Sequence, residues 1–273
     1  MQTSRVNLRR RWLIGAACAA VVAPRARASA PTRFRIFDGL LHRGKPDLTG
    51  AGLESISPLA QIWRPHAPRD EVDEMGVLAA LESLPPLTTT IYVDIEEWPL
   101  FGVDPATRDA SIGKLIHVAR LIRQQRPELK YGFYGAPPVG AYWPIIRHDA
   151  SYQQWLDTNR AMAPLAQLVD YVFPSLYTYY DDRAGWLRFA AAQIDEARRY
   201  GKPVYPFLWY QYFDGNRRLA GHDVVPNAWE EELRFCRAHA DGVALWGGYE
   251  RGWSESATWW QTTRRIFDLP KIW

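Results

Sequence analysis

Two periods of apolar and polar positions alternate along this chain. Short apolar runs rich in β-branched and aromatic residues recur at Phe34 to Leu41, Leu59 to Trp63, Thr89 to Glu96, Leu129 to Gly135, Tyr171 to Tyr177, Pro203 to Tyr210 and Gly242 to Gly248. Each predicts a buried strand. Between and after them lie stretches with helical spacing, near 70–84, 105–126, 149–167, 184–200, 227–240 and 255–267. The pattern is a strand-helix unit repeated about seven times.

A chain of this length made of such units folds either as a closed barrel or as an open doubly wound sheet. The open nucleotide-binding sheet wants a glycine-rich turn after its first strand, and the segment from Gly39 to Gly44 lacks the G-x-G-x-x-G spacing. The expectation is an α/β fold, a distorted TIM-like (β/α) barrel with about seven strands, in a single domain spanning residues 31–273.

The first thirty residues stand outside that pattern. They hold six arginines and no acid, then an apolar run from Trp12 to Val22, then the small-x-small site Ala28-Ser29-Ala30. This reads as a cleavable export signal over residues 1–30. Arg9-Arg10-Arg11-Trp12-Leu13 follows the twin-arginine pattern, which implies a periplasmic or secreted protein. The apolar run is shorter than the roughly 20 residues that span a bilayer, so no integral membrane segment is expected in the mature chain.

Without that segment the formal net charge of +3 becomes −3. The basic balance belongs to the signal, and the remaining domain has no electrostatic footprint for nucleic acid. Cys18 leaves with the signal, so Cys236 stands alone and no disulfide can form within the mature chain. The six histidines form no H-x-x-x-H pair, and neither a metal nor another cofactor is expected.

In a barrel the chemistry sits at the C-terminal ends of the strands. The third strand ends in Asp94, Glu96 and Glu97, followed at once by Trp98 and Pro99. Residues two apart on a strand share a face, so Asp94 and Glu96 would project side by side, their Cα atoms roughly 6.6 Å apart. Two like charges leaving a buried strand raise one pKa, which leaves a carboxylic acid beside an ionised partner. That is general acid chemistry.

Aromatic residues make up 14% of the chain, and they gather where the strands end: Trp98, Tyr134, Tyr177, Tyr210 and Trp246. Any one such ring serves core packing equally well. As a set around the acids they describe a cleft for a polysaccharide or oligosaccharide.

Five segments taken in order resemble the hyaluronidase-type glycoside hydrolases. They are Asp94-Ile95-Glu96-Glu97-Trp98, Gly132-Phe133-Tyr134-Gly135, Pro174-Ser175-Leu176-Tyr177, Pro203-Val204-Tyr205-Pro206 and Gly242-Val243-Ala244-Leu245-Trp246. The resemblance implies a distorted seven-stranded β/α barrel that hydrolyses a glycan containing N-acetylhexosamine, with retention and without a metal. It makes Glu96 the acid and base, and the substrate's acetamido oxygen the nucleophile. Asp94 would stabilise the acetamido group and Tyr177 would hydrogen-bond it. Tyr134 and Trp246 would shape the sugar subsite.

The chain departs from that family in having Pro99 directly after Trp98, where a basic residue is usual, and Ala136 after Gly135, where a cysteine is usual. Two other readings stand beside this one. A chitinase-like barrel hydrolase would act on chitin or peptidoglycan-like glycans, and a non-catalytic barrel would bind a glycan without cleaving it.

Overall fold

A computed structural model of the chain describes residues 33–271; the predicted export signal lies outside them. The strands are β1 (Arg35–Leu40), β2 (Glu54–Ser55), β3 (Ser57–Leu59), β4 (Thr90–Val93), β5 (Lys130–Phe133), β6 (Phe207–Trp209) and β7 (Gly242–Gly247). The helices are α1 (Glu74–Glu82), α2 (Pro105–Gln125), α3 (Tyr142–Arg147), α4 (Ala150–Ala161), α5 (Ala163–Leu168), α6 (Arg183–Arg198), α7 (Pro226–His239) and α8 (Thr258–Phe267). The architecture is α/β, and every pairing between strands is parallel.

The strands form two sheets, ordered β2-β1-β7-β6 and β3-β4-β5. Only Ile56 separates β2 from β3, so one short segment pairs with β1 through its first half and with β4 through its second. On the other side the sheets approach through residues 172–178, which bridge Tyr134 to Phe173 and Ser175 to Phe207. All the strands therefore point their C-terminal ends the same way, and the connecting loops collect there.

Residues 171–177 were expected as a full strand and form an interrupted one. Phe207 N donates to Pro174 O at 2.9 Å, and Leu176 N donates to Phe207 O at 3.0 Å. Pro174 and Pro206 have no N–H to give, so the ladder cannot run on. The second strand was expected at Leu59 to Trp63 and lies earlier, at residues 54–59. Its polar residues and Pro58 hide it from an apolar pattern. Helices match their expected places, except that α3 was not foreseen and the stretch 149–167 breaks into α4 and α5.

Local chemistry sets the boundaries. Asp104 accepts from Thr107 N at 3.0 Å and Pro105 opens α2, which starts that helix directly after the acid-bearing loop. Inside the strand layer, aromatic rings from facing strands interlock: Tyr92 meets Phe207 at 4.8 Å, Phe173 meets Phe207 at 5.6 Å, and Phe37 meets Phe173 at 6.2 Å. All four residues of β4 are buried, as expected of a strand covered on both faces. Gly132 is needed where the backbone crowds, since a Cβ there would lie 2.3 Å from Tyr171 O. That close approach lets β5 carry Tyr134 up to the mouth.

Candidate active site

β4 delivers its carboxylates one after another as it leaves the core. Asp94 N donates to Leu59 O at 3.2 Å, which holds the first acid against β3 as β4 ends. Asp94 is half-buried, whereas Glu96 and Glu97 are exposed. Burial first, then the charges of Glu96 and Glu97, push the Asp94 carboxyl up to about 6. Partial burial of its carboxyl end and the Glu97 charge also raise Glu96, by less. Sequence spacing predicted one raised acid; the fold raises both, and the larger lift falls on the more buried Asp94.

Glu97 is committed elsewhere. It accepts from Arg69 at 2.8 Å, and its other oxygen accepts from Glu96 N at 3.2 Å. This leaves Asp94 and Glu96 as the acids without a cationic partner, each opening on a different hollow. Glu96 lines a cavity of about 240 Å³ with Trp98, Tyr134, Ser175 and Tyr179. Asp94 lines one of about 400 Å³ with Tyr92, Gln61, Trp246 and Tyr249. Regular pairing stops at Val93, and the two carboxylates line different cavities instead of a shared one.

Four of the five aromatic candidates come to these cavities or lie under them. Tyr134 and Trp98 face Glu96, and Trp246 faces Asp94. Tyr177 is buried, with its ring centroid 5.6 Å from Tyr134 and 5.9 Å from Trp246. It joins the walls of the two hollows from below. Trp98 is fixed by its indole N–H, which donates to Arg69 O at 2.8 Å, and by the edge of Trp63 at 5.8 Å.

Tyr210 is not brought to the acids. Its ring stacks on Trp259 at 4.1 Å and its hydroxyl lies 3.3 Å from His42 Nε2, inside the core. The register of β6 on β7 pairs Trp209 with Trp246. Trp209 therefore meets Trp246 at 4.6 Å and Tyr177 at 5.5 Å, and its successor turns to the opposite side.

Sequence reading missed Tyr179 and Gln61. Tyr179 continues the alternation of Ser175 and Tyr177, and a hydroxyl chain runs from Tyr134 through Ser175 at 3.0 Å to Tyr179 at 3.3 Å. A period of two carried past Tyr177 would have found it. Gln61 comes from a loop remote in sequence and had no such signal. Among the described residues, no three His, Cys, Asp or Glu side chains gather as a metal site, and no helix is long and apolar enough to cross a membrane.

No protein-family model matches the sequence, and no curated protein matches it. Among solved structures, the chain is similar to bee venom hyaluronidase, at 14% identity and a TM-score of 0.59, over 86% of this chain and 96% of that one. It is similar also to bee venom hyaluronidase in complex with a hyaluronic acid tetramer, at 16% identity and a TM-score of 0.60, over 79% of this chain and 91% of that one. At such identity the likeness is one of fold: the chain has an α/β fold similar to that of bee venom hyaluronidase.

Proposed function

We propose that this protein is a glycoside hydrolase that cleaves a glycan containing N-acetylhexosamine by a retaining, substrate-assisted route. The observation that carries the reading is the pair at the end of β4: two carboxyls held above their usual range, one half-buried and one exposed, each opening on its own aromatic-walled hollow.

In this reading the glycan crosses the ridge between the cavities, with the scissile bond at Glu96. Glu96 gives its proton to the glycosidic oxygen as that oxygen leaves the anomeric carbon. The acetamido carbonyl oxygen of the same sugar attacks that carbon and closes a cationic ring, which Asp94 stabilises. Glu96, now ionised, takes a proton from water, and the resulting hydroxide opens the ring with the original configuration restored. Tyr134 and Trp246 supply flat faces for the sugar rings. Residues 1–30, as an export signal, would place this activity outside the cytoplasm.

The test is release of reducing ends by the purified protein from hyaluronan, chondroitin, chitin oligomers and peptidoglycan, each run beside its Glu96→Gln variant. Release that vanishes in the variant supports the reading. Binding to a glycan with no release from any of them overturns it in favour of a glycan-binding barrel.

A further inference from the structure

The two cavities are rich in uncharged hydrogen-bonding groups. Around Glu96 these are Ser175, Tyr134 and Tyr179; around Asp94 they are Gln61, Ser83, Tyr92 and Tyr249. Among the described residues, no Lys, Arg or His lines either cavity. Basic side chains on neighbouring segments are engaged elsewhere. Lys45 pairs with Asp38. Arg69 pairs with Glu97 at 2.8 Å and lies 5.4 Å over the Trp63 ring, and Lys114 sits 5.7 Å from the Trp98 ring centroid.

We infer that this cleft takes an uncharged N-acetylhexosamine glycan and rejects one that carries an anionic group on every repeat. The inference rests on the proposed function for identifying the cleft as the sugar site. A polyanionic chain would lay its carboxylates or sulfates within a Debye length, about 10 Å, of the unpaired acids Asp94 and Glu96. It would meet no guanidinium fork to replace the water it loses there. A neutral chain offers hydroxyls and amides, which the tyrosines, serines and Gln61 can pair. Bee venom hyaluronidase holds a hyaluronic acid tetramer on a similar fold, so the backbone does not set the charge of the ligand. The lining does.

The experiment is calorimetric binding of Glu96→Gln protein to N-acetylglucosamine oligomers and to hyaluronan oligomers of equal length, between about 20 and about 200 mM salt. Because this variant removes one negative charge, it favours the anion and makes the comparison stringent. Expected is at least about tenfold tighter binding of the neutral oligomer, flat with salt. Placing a cation in the lining by Gln61→Arg, at an exposed position, should narrow that gap, most at low salt.

Hyaluronan bound as tightly as the neutral oligomer overturns the inference. If the wild-type protein also hydrolyses hyaluronan, the glycosidase reading stands without it. A neutral oligomer bound tightly but left uncut by the wild-type protein supports the inference and overturns the hydrolase reading. No binding of either overturns both.

Discussion

Asp94 and Glu96, two residues apart at the end of β4, line different cavities. Regular pairing has ended at Val93, and their carboxyls do not share one pocket. A proton donor in one hollow and a charge stabiliser in the other suit the proposed reaction at a bond between them.

Glu96→Gln keeps the size of the side chain and deletes the transferable proton. Turnover should fall by roughly 100-fold to 10,000-fold, the range that a positioned acid contributes, with affinity for the glycan nearly unchanged. Single-turnover kinetics alongside equilibrium binding checks this. A variant that keeps its rate removes Glu96 from the chemistry.

The acid pair also fixes a pH dependence. Interacting carboxyls lose their protons in two steps that belong to the pair, and the proposed reaction needs one proton kept. Burial and the Glu97 charge hold the proton of the donor, Glu96, above the ordinary carboxyl range. Turnover should therefore decline as pH rises above that range, as the donor is lost. A profile of kcat/KM against pH on a soluble oligomer measures it, and activity still climbing above neutrality would contradict the assignment.

Tyr177 joins the walls of the two cavities, touching Tyr134, Trp209 and Trp246. Tyr177→Phe retains this packing and should leave the melting temperature close to that of wild type while weakening turnover through the lost hydroxyl. Tyr177→Ala should cost about 3 to 5 kcal/mol of stability, as for other large buried aromatics. If both variants melt alike, the ring is not the packing element described.

Much of this candidate site was legible along the chain because each part is local. β4 is a contiguous apolar run that ends in acids, and Tyr134 and Trp246 follow β5 and end β7 in the same manner. What the pattern could not fix was which of two adjacent rings faces inward. Trp209 and Tyr210 look equivalent in sequence, and the pairing of Trp209 with Trp246 decides between them. The segment at residues 54–59 was obscured because its polar composition conceals two parallel pairings. That Asp94 and Glu96 line separate cavities depends on where regular pairing stops, which strand periodicity does not encode.

Asp94 should stabilise the fold more when neutral than when charged. Its folded pKa lies above the ordinary value of 3.8, at about 6. The folded state therefore binds more protons across that interval, and stability falls as pH rises through it. Asp94→Asn removes the charge at every pH. At pH 7 it should be more stable than wild type by on the order of 2 kcal/mol, discounted for partial solvent exposure, even as turnover drops. Chemical denaturation at pH 4 and pH 7 tests this, and a variant less stable at both would refute it.

Glu232 on α7 carries the same logic away from the cleft. Burial pushes its carboxyl up to about 8, although Thr178 Oγ1 donates to it at 2.8 Å. Its other oxygen is buried with no partner, an arrangement that suits the neutral acid. Because the folded pKa is raised, the contribution of this group is fully present below about 4.5 and is lost progressively as pH rises to about 8. Glu232→Gln holds the neutral form permanently and still offers an oxygen to Thr178. It should exceed wild type in stability by on the order of 3 kcal/mol at pH 8, with the difference closing toward acid pH. Melting temperatures of the two proteins measured across that range provide the check, and parallel curves would mean that Glu232 does not titrate between the folded and unfolded chains.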